Sequence, residues 1–338
     1  MQRLPDVTDQ EYLACNPTNR ELVEDFLSNS TELSERTLIA YRSNLKIWLN
    51  WVKNNLNNKI HTDIKPREYL RYQNWLLGLG HSYSDITNKR AAISSLNNYI
   101  VVYYSDVYPS FHNFINKSIK KPEKSYVHDK VPPTREELEM IIQKLEESGR
   151  KDKKQLIAYL KFTFETGCRR AETRQILKNI VDTPITVKEV KTRDTDGNII
   201  AKEARYYLTP KIRCKGRGRT GKIRQLKFSD YAMDALKDWV NERNDDCPYM
   251  FVTHPFSSFI RQASESTLNE WCSKIFTPLL GRRFHPHCLR EASATDIVVT
   301  QGKSIEAAKA LLGHESSETT RIYVCGIDES EEADELFI

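Results

Sequence analysis

Residues 285–324 read HPHCLREASATDIVVTQGKSIEAAKALLGHESSETTRIYV, and three pieces of this run have chemistry to offer as well as packing. His287 and Arg290 stand three apart, Leu312-Gly313-His314 closes an apolar, helix-like run, and Tyr323 comes nine residues after His314. Each piece alone has an ordinary explanation. An H-x-x-R pair arises often by chance, Tyr323 between Ile322 and Val324 reads as a core residue, and His314 reads as the positive cap of a helix end. His285, His287 and Cys288 also invite a zinc site, but no second ligand pair stands at a finger-like separation, so no metal is expected.

Further upstream, Thr166-Gly167-Cys168-Arg169 with Glu172 follows an apolar run, and Arg169 is well placed to pair with Glu172. Between these two regions, Lys211 to Lys227 carries eight basic residues and no acidic one: Lys211, Arg213, Lys215, Arg217, Arg219, Lys222, Arg224 and Lys227. Gly216, Gly218 and Gly221 in this stretch spell G-x-G-x-x-G, and Gly216 with Gly221-Lys222 spells most of a phosphate loop. Neither motif fits its surroundings. A dinucleotide fingerprint needs a following helix, but Ile223 to Leu226 reads as a strand, and Ile223 stands where a phosphate loop needs Ser or Thr. A basic β-turn approaching a nucleic-acid backbone accounts for the same glycines.

Taken in order, Arg169, Lys215, His287-x-x-Arg290, Leu312-Gly313-His314 and Tyr323 resemble the catalytic domain of the tyrosine recombinases, the family of phage integrases and Xer-type resolvases. The resemblance covers about Thr134 to Val324, and more loosely the helical segment before it. It implies that Arg169 and Arg290 hold the scissile phosphate, Lys215 is the hairpin lysine, His287 and His314 are the two histidines, and Tyr323 is the nucleophile. Two departures stand out: Glu291 occupies a place that many relatives fill with histidine, and the long hairpin makes Lys211 and Lys222 rivals to Lys215.

The chemistry gives these residue types an independent logic. Two guanidinium forks can bind both non-bridging oxygens of a phosphodiester and do the work of metal ions. A phenol titrates near ~10, so attack at neutral pH needs a proton acceptor, for which His287 is the candidate. A lysine beside DNA can give the departing 5′ oxygen its proton. A covalent phosphotyrosine conserves the bond energy, so no cofactor or nucleotide is expected. The resemblance further implies double-stranded recombination sites as partners, a homotetramer on paired sites that is a monomer or weak oligomer without DNA, and a C-terminal tail docked on a neighbouring protomer. Integration or excision of a mobile element is the expected role. Xer-type dimer resolution, a type IB topoisomerase and a non-cleaving DNA-binding protein are the alternatives.

Length and composition agree with such a protein. The chain has 338 residues, 39% of them hydrophobic and 29% charged, enough for two domains with real cores. The seven cysteines are scattered without a C-x-x-C pair, and no apolar run nears the roughly 18 residues of a membrane span, so a cytoplasmic location is expected. The net charge of +5 understates the basic body, because Asp328 to Glu335 carries six acidic residues and no basic one. The expected architecture is mainly α with a small β-sheet (α+β), a helical core-binding domain followed by a catalytic domain.

The boundaries follow from periodicity. Residues 1–17 read as an N-terminal extension and 18–116 as the helical domain, which leaves little room ahead of it for an arm-binding domain. In that domain Ser34 caps a stripe of Leu38, Tyr41, Leu45, Trp48, Val52 and Leu56, and a second helix from about Asp85 places Ile86, Ile93, Leu96, Ile100 and Tyr103 on one face. Glu21–Leu27 and Arg67–Leu77 complete a four-helix group. Residues 117–133, basic and proline-bearing, read as the linker. Thr134 with Glu137 then forms a capping box that opens a catalytic domain at 134–325, with an acidic tail at 326–338. Lys89, Arg90, Lys120, Lys121, Lys211, Arg213, Arg217, Arg219 and Lys222 are the expected DNA contacts.

Overall fold

Trp48 sits at the centre of the first half of the chain, and its surroundings show why those helices form. Its Nε1 donates to His61 Nδ1 (3.1 Å), while Tyr69 and Tyr72 meet it edge-on and Trp51 stacks at 5.7 Å. In the computed structural model, which describes residues 4–115, 119–123, 131–193, 198–214, 221–254, 257, 259–321 and 324, the chain divides into two compact units between His128 and Asp129.

The first unit comprises α1 (Asp9–Leu13), α2 (Pro17–Asn29), α3 (Glu35–Asn55), α4 (Pro66–Gly78) and α5 (Tyr83–Tyr103). The hydroxyls of Ser34 and Ser82 accept the Thr37 and Asp85 N–H groups, and each such cap contributes about 1 kcal/mol to its helix. The α3 stripe buries Leu45, Trp48 and Val52, and α5 buries Ile86, Ile93, Leu96 and Ile100. Tyr103, expected on the same face of α5, is instead exposed with its ring beside Tyr99, and Tyr104 turns to the core at the helix end in its place.

Two expected boundary segments belong to this core. Tyr12 and Cys15 are buried in it, although residues 1–17 read as an extension. The reason is length: α1 has five residues, too few to show a period. Ile119, from the expected linker, is likewise buried, and its carbonyl accepts from Arg90 (2.8 Å).

The second unit opens with α6 (Arg135–Glu146), whose Thr134–Glu137 capping box is present and whose Leu138, Ile141, Ile142 and Leu145 are buried. Its centre is α7 (Lys153–Thr166), apolar on nearly every side and packed against α9 (Asp230–Glu242) and α12 (Pro286–Thr295). The short α8 (Arg170–Thr173) follows α7 directly, and α10 (Glu265–Glu270), a π-helical turn and α11 (Thr277–Leu280) precede α12. Among the described residues the last helices are α13 (Ile305–Leu312) and α14 (Ser317–Arg321).

The strands are β1 (Thr186–Arg193), β2 (Ile199–Leu208), β3 (Ile212–Cys214), β4 (Lys222–Arg224), β5 (Lys227–Phe228), β6 (Val252–Thr253) and β7 (Arg261–Gln262). They form antiparallel sheets ordered β1-β2-β5, β3-β4 and β6-β7. The expected Asp196-Gly197 turn lies outside the described residues, but the strands flanking it pair from Thr186↔Tyr206 to Arg193↔Ile199. The expected strand Ile223–Leu226 is divided: β4 pairs with β3, then Leu226 exchanges hydrogen bonds with Thr209 and the chain joins β2 through β5. A strand, and no helix, therefore follows Gly221, as the rejection of a nucleotide loop required.

Candidate active site

Gly167 ends α7 with φ +55°, a left-handed turn that glycine adopts without strain. A Cβ there would lie 2.2 Å from Leu312 Cδ2, so the turn and the end of α13 meet at a distance that only hydrogen permits. The next residues leave the turn into α8, where Arg169 is the N-cap. Its N–H donates to Glu172 Oε2 (2.9 Å) and its Nη1 to Glu172 Oε1 (3.0 Å). The ordinary pairing foreseen for Arg169 thus exists, with Glu172 buried.

Arg290, on α12, crosses to the same place. It is 1% exposed, and its Nη1 donates to the Gly167 carbonyl and its Nη2 to Leu312 O (2.8 Å) and to His314 Nε2 (2.7 Å). Gly313, also left-handed at φ +66°, turns the chain after α13 and brings the His314 ring back toward Arg290. His314 Nε2 accepts from Arg290, so the ring proton sits on Nδ1 and faces Thr320 Oγ1 (3.0 Å). Thr320 is fully buried on α14, the helix that leads to Tyr323. Arg169, Arg290 and His314, dispersed over the sequence, thereby share one network. His287 stands one turn before Arg290 on α12 and is exposed.

Electrostatics follow from the crowding of cations. Desolvation, reinforced by Arg290, Arg169 and Arg224, lowers the His314 pKa to about 4, so the ring is neutral at pH 7. His287 is also held below the ordinary histidine value, first by desolvation and then by His285, Arg170 and Arg290, against the opposing charge of Glu291. A neutral His287 can accept a proton at neutral pH. Burial alone would raise the Glu172 pKa, but Arg224, the Arg169 N–H and the Arg169 charge outweigh it and keep the group ionised.

Residues 134–328, more than half of the chain, match the model of the phage integrase family. The chain belongs to that family. It is a tyrosine recombinase, a site-specific recombination enzyme. It is 30% identical to the SPbeta prophage-derived recombinase-like protein YomM of Bacillus subtilis (strain 168), over 99% of this chain and 96% of that protein. It is 26% identical to a tyrosine recombinase of Thermosipho africanus, over 90% of this chain and 93% of that protein. Its fold is similar to that of the Tn1549 transposon integrase solved with transposon right end DNA, with TM-score 0.67, 13% identity, and coverage of 94% of this chain and 98% of that one.

Other expected residues of the recombinase are placed differently. Lys215, Arg217, Arg219 and Tyr323 lie outside the described residues. Lys120, Lys121, Lys211, Arg213 and Lys222 are exposed, with Lys222 Nζ 2.7 Å from Glu315. Lys89 and Arg90 are a correction: both are buried in the first unit. Lys89 pairs with Asp85 one turn earlier on α5 (2.7 Å), and Arg90 holds the Ile119 carbonyl, so both cations are engaged inside the unit, Lys89 within its own helix and Arg90 on the segment after it.

The suspected histidine–cysteine cluster also resolves differently, since His285, Cys288 and Glu291 have ligand atoms within 4.8 Å of one another and His287 is not among them. His285 Nδ1 accepts the Cys288 N–H (3.2 Å), and Cys288 Sγ accepts the His285 N–H (3.3 Å). Two of the three candidate ligand atoms thus cap α12, and desolvation raises the pKa of the thiol, which disfavours the thiolate that a metal needs. Thr320, Gly167 and Arg224, which tie together the segments bearing Arg169, Arg290 and His314, carry no motif of their own in the sequence. Only the spacing of Gly167 ahead of Arg169 hinted at any of them.

His61, fully buried in the first unit between Trp48 and Asn97, is lowered by desolvation to about 4, as is His314. Both rings bind protons less readily folded than unfolded. Their stabilisation is therefore complete above the unfolded value of 6.5 and is lost as pH falls through about 4. For His61 alone this is roughly 3 kcal/mol. Nitrogen-detected histidine NMR should show both rings neutral down to about pH 5, and rings that titrate near 6.5 would contradict these surroundings.

Proposed function

We propose that this recombinase cuts one DNA strand at a time through a 3′-phosphotyrosine at Tyr323 and serves integration or excision of a mobile element. The observation that carries the chemical part is the convergence of Arg169, Arg290 and His314 on the Gly167 and Leu312–Gly313 turns. Arg169 and Arg290 bind the non-bridging oxygens of the scissile phosphate, where charge builds as the phenolate attacks. His287 takes the phenol proton, and His314, neutral and anchored to Thr320, orients the arginine and the segment leading to Tyr323. The oxygen–phosphorus bond to the 5′ side breaks as the tyrosine bond forms, and Lys215 gives the departing 5′ oxygen its proton. The charge is met by side chains, so the step calls for no metal.

Exposed Lys120, Lys121, Lys211 and Arg213 are proposed DNA-backbone contacts, together with Arg217, Arg219 and Lys222 of the hairpin. A helical DNA-binding domain that takes in Tyr12, Cys15 and Ile119, a catalytic domain at 134–325, a homotetramer on paired sites, and docking of residues 326–338 on a neighbouring protomer complete the proposal. Similarity over nearly the full length to a prophage-derived recombinase-like protein favours a mobile element over chromosome-dimer resolution. Sequencing the genomic DNA that the protein selects tests this role. Recovery of element ends supports it, and recovery of a single chromosomal site at the replication terminus overturns it.

Lys215 is favoured over Lys222 as the acid because Lys222 is paired with Glu315. Lys215→Ala should slow cleavage on the order of 10²- to 10⁴-fold, and a 5′-bridging sulfur, which leaves without a proton, should restore most of that loss. Rescue confined to Lys222→Ala or Lys211→Ala would move the role to that lysine.

A further inference from the structure

Arg224 takes no part in the steps above, yet its side chain reaches three of the segments that carry them. From β4 its Nη2 donates to Glu172 Oε2 (2.9 Å), its Nη1 to Leu311 O (2.9 Å) and its Nε to Cys214 Sγ (3.1 Å). Its guanidinium lies so close to the turn before His314 that a Cβ on Gly313 would come within 2.6 Å of Nη1. One planar group thus touches the carboxylate that holds Arg169, the last turn of α13 before His314, and the strand residue preceding Lys215.

We infer that Arg224 is a positioning residue for strand cleavage, acting through Glu172 to keep Arg169 available to phosphate and through Leu311 to fix the turn that carries His314. The inference rests on the proposed phosphate-binding roles of Arg169 and His314. Its physical core is charge sharing. Glu172 is 1% exposed on its side chain and faces two guanidinium groups, so the trio carries one net positive charge. Without Arg224, Glu172 and Arg169 form a closed neutral pair in a desolvated place. Arg169 would then have to break a strengthened ion pair before it could turn its donors toward a phosphate. An ammonium does not replace the fork, because a single nitrogen cannot reach Glu172 and the Leu311 carbonyl in the two directions required.

The test is single-turnover cleavage of a suicide substrate by Arg224→Met, Arg224→Lys and the double variant Arg224→Met with Glu172→Gln. Affinity for uncut DNA is measured separately in a Tyr323→Phe background. Arg224→Met should cleave about 100-fold more slowly with DNA affinity within about threefold, Arg224→Lys should stay slow, and removing the Glu172 charge should recover about tenfold of the loss. A packing role alone predicts no such recovery. Cleavage by Arg224→Met within threefold of the unmodified protein, or further loss in the double variant, overturns the inference. The side-chain Nε–H resonance of Arg169 supplies a readout that needs no cleavage: its shift in the free protein should change in Arg224→Met and return in the double variant. An unmodified protein that forms no adduct defeats the proposed function, whereas an Arg169 resonance indifferent to Arg224 defeats this inference.

Discussion

Tyr323→Phe is expected to abolish covalent attachment to DNA, by about 10⁴-fold or more, while affinity for the uncut site stays within about threefold. The substitution removes one oxygen and keeps the ring, so packing and charge around the site are almost unchanged. Arg169 and Arg290, the proposed phosphate ligands, stay anchored to Glu172, Gly167, Leu312 and His314, so binding of the uncut site is expected to survive. Denaturing gels of a suicide-substrate reaction read the adduct, and gel shifts read binding. A persistent adduct at the normal rate would remove Tyr323 from the chemistry.

Arg290→Ala has the second largest expected effect, and it differs in kind because it strikes the reaction and the fold together. Loss of one preorganised donor to a developing oxyanion costs on the order of 10²- to 10³-fold in rate. The same change strips the Gly167 and Leu312 carbonyls of a buried donor and leaves His314 Nε2 without its arginine. Each buried group deprived of a partner costs about 1–3 kcal/mol, so a stability loss of roughly 2–4 kcal/mol should accompany the catalytic defect. Stopped-flow cleavage and urea unfolding measure the two separately. Full stability with lost cleavage would mean that the network contributes nothing to folding.

The contrast between these two variants shows what a linear sequence can and cannot reveal here. Motif order was legible because chemistry fixes residue types, and capped amphipathic helices were legible because Ser34, Ser82 and Thr134 precede runs with the helical period. Charge counting was less informative, since it registers a cation without its burial. Lys89 and Arg90 looked like a basic helix start and are internal ties, and Arg224 looked like one more member of a basic stretch and is a half-buried link between three segments. Thr320 carried no signal at all: its role depends on the His314 ring turning back toward α14, a relation of tertiary packing. The five-residue α1 was missed for want of length, not of burial.

The two left-handed glycines that flank the network have a consequence for how such a chain ages. Every one-base change that replaces a glycine with another residue adds a Cβ. At Gly167 that atom would strike Leu312, and at Gly313 it would displace the Arg224 guanidinium. Neither glycine is a member of the large apolar cluster of the second unit. A copy released from selection therefore has short routes to a folded but inert protein, and an inactive descendant should betray itself at residues 167 and 313 while its hydrophobic interior still reads as intact.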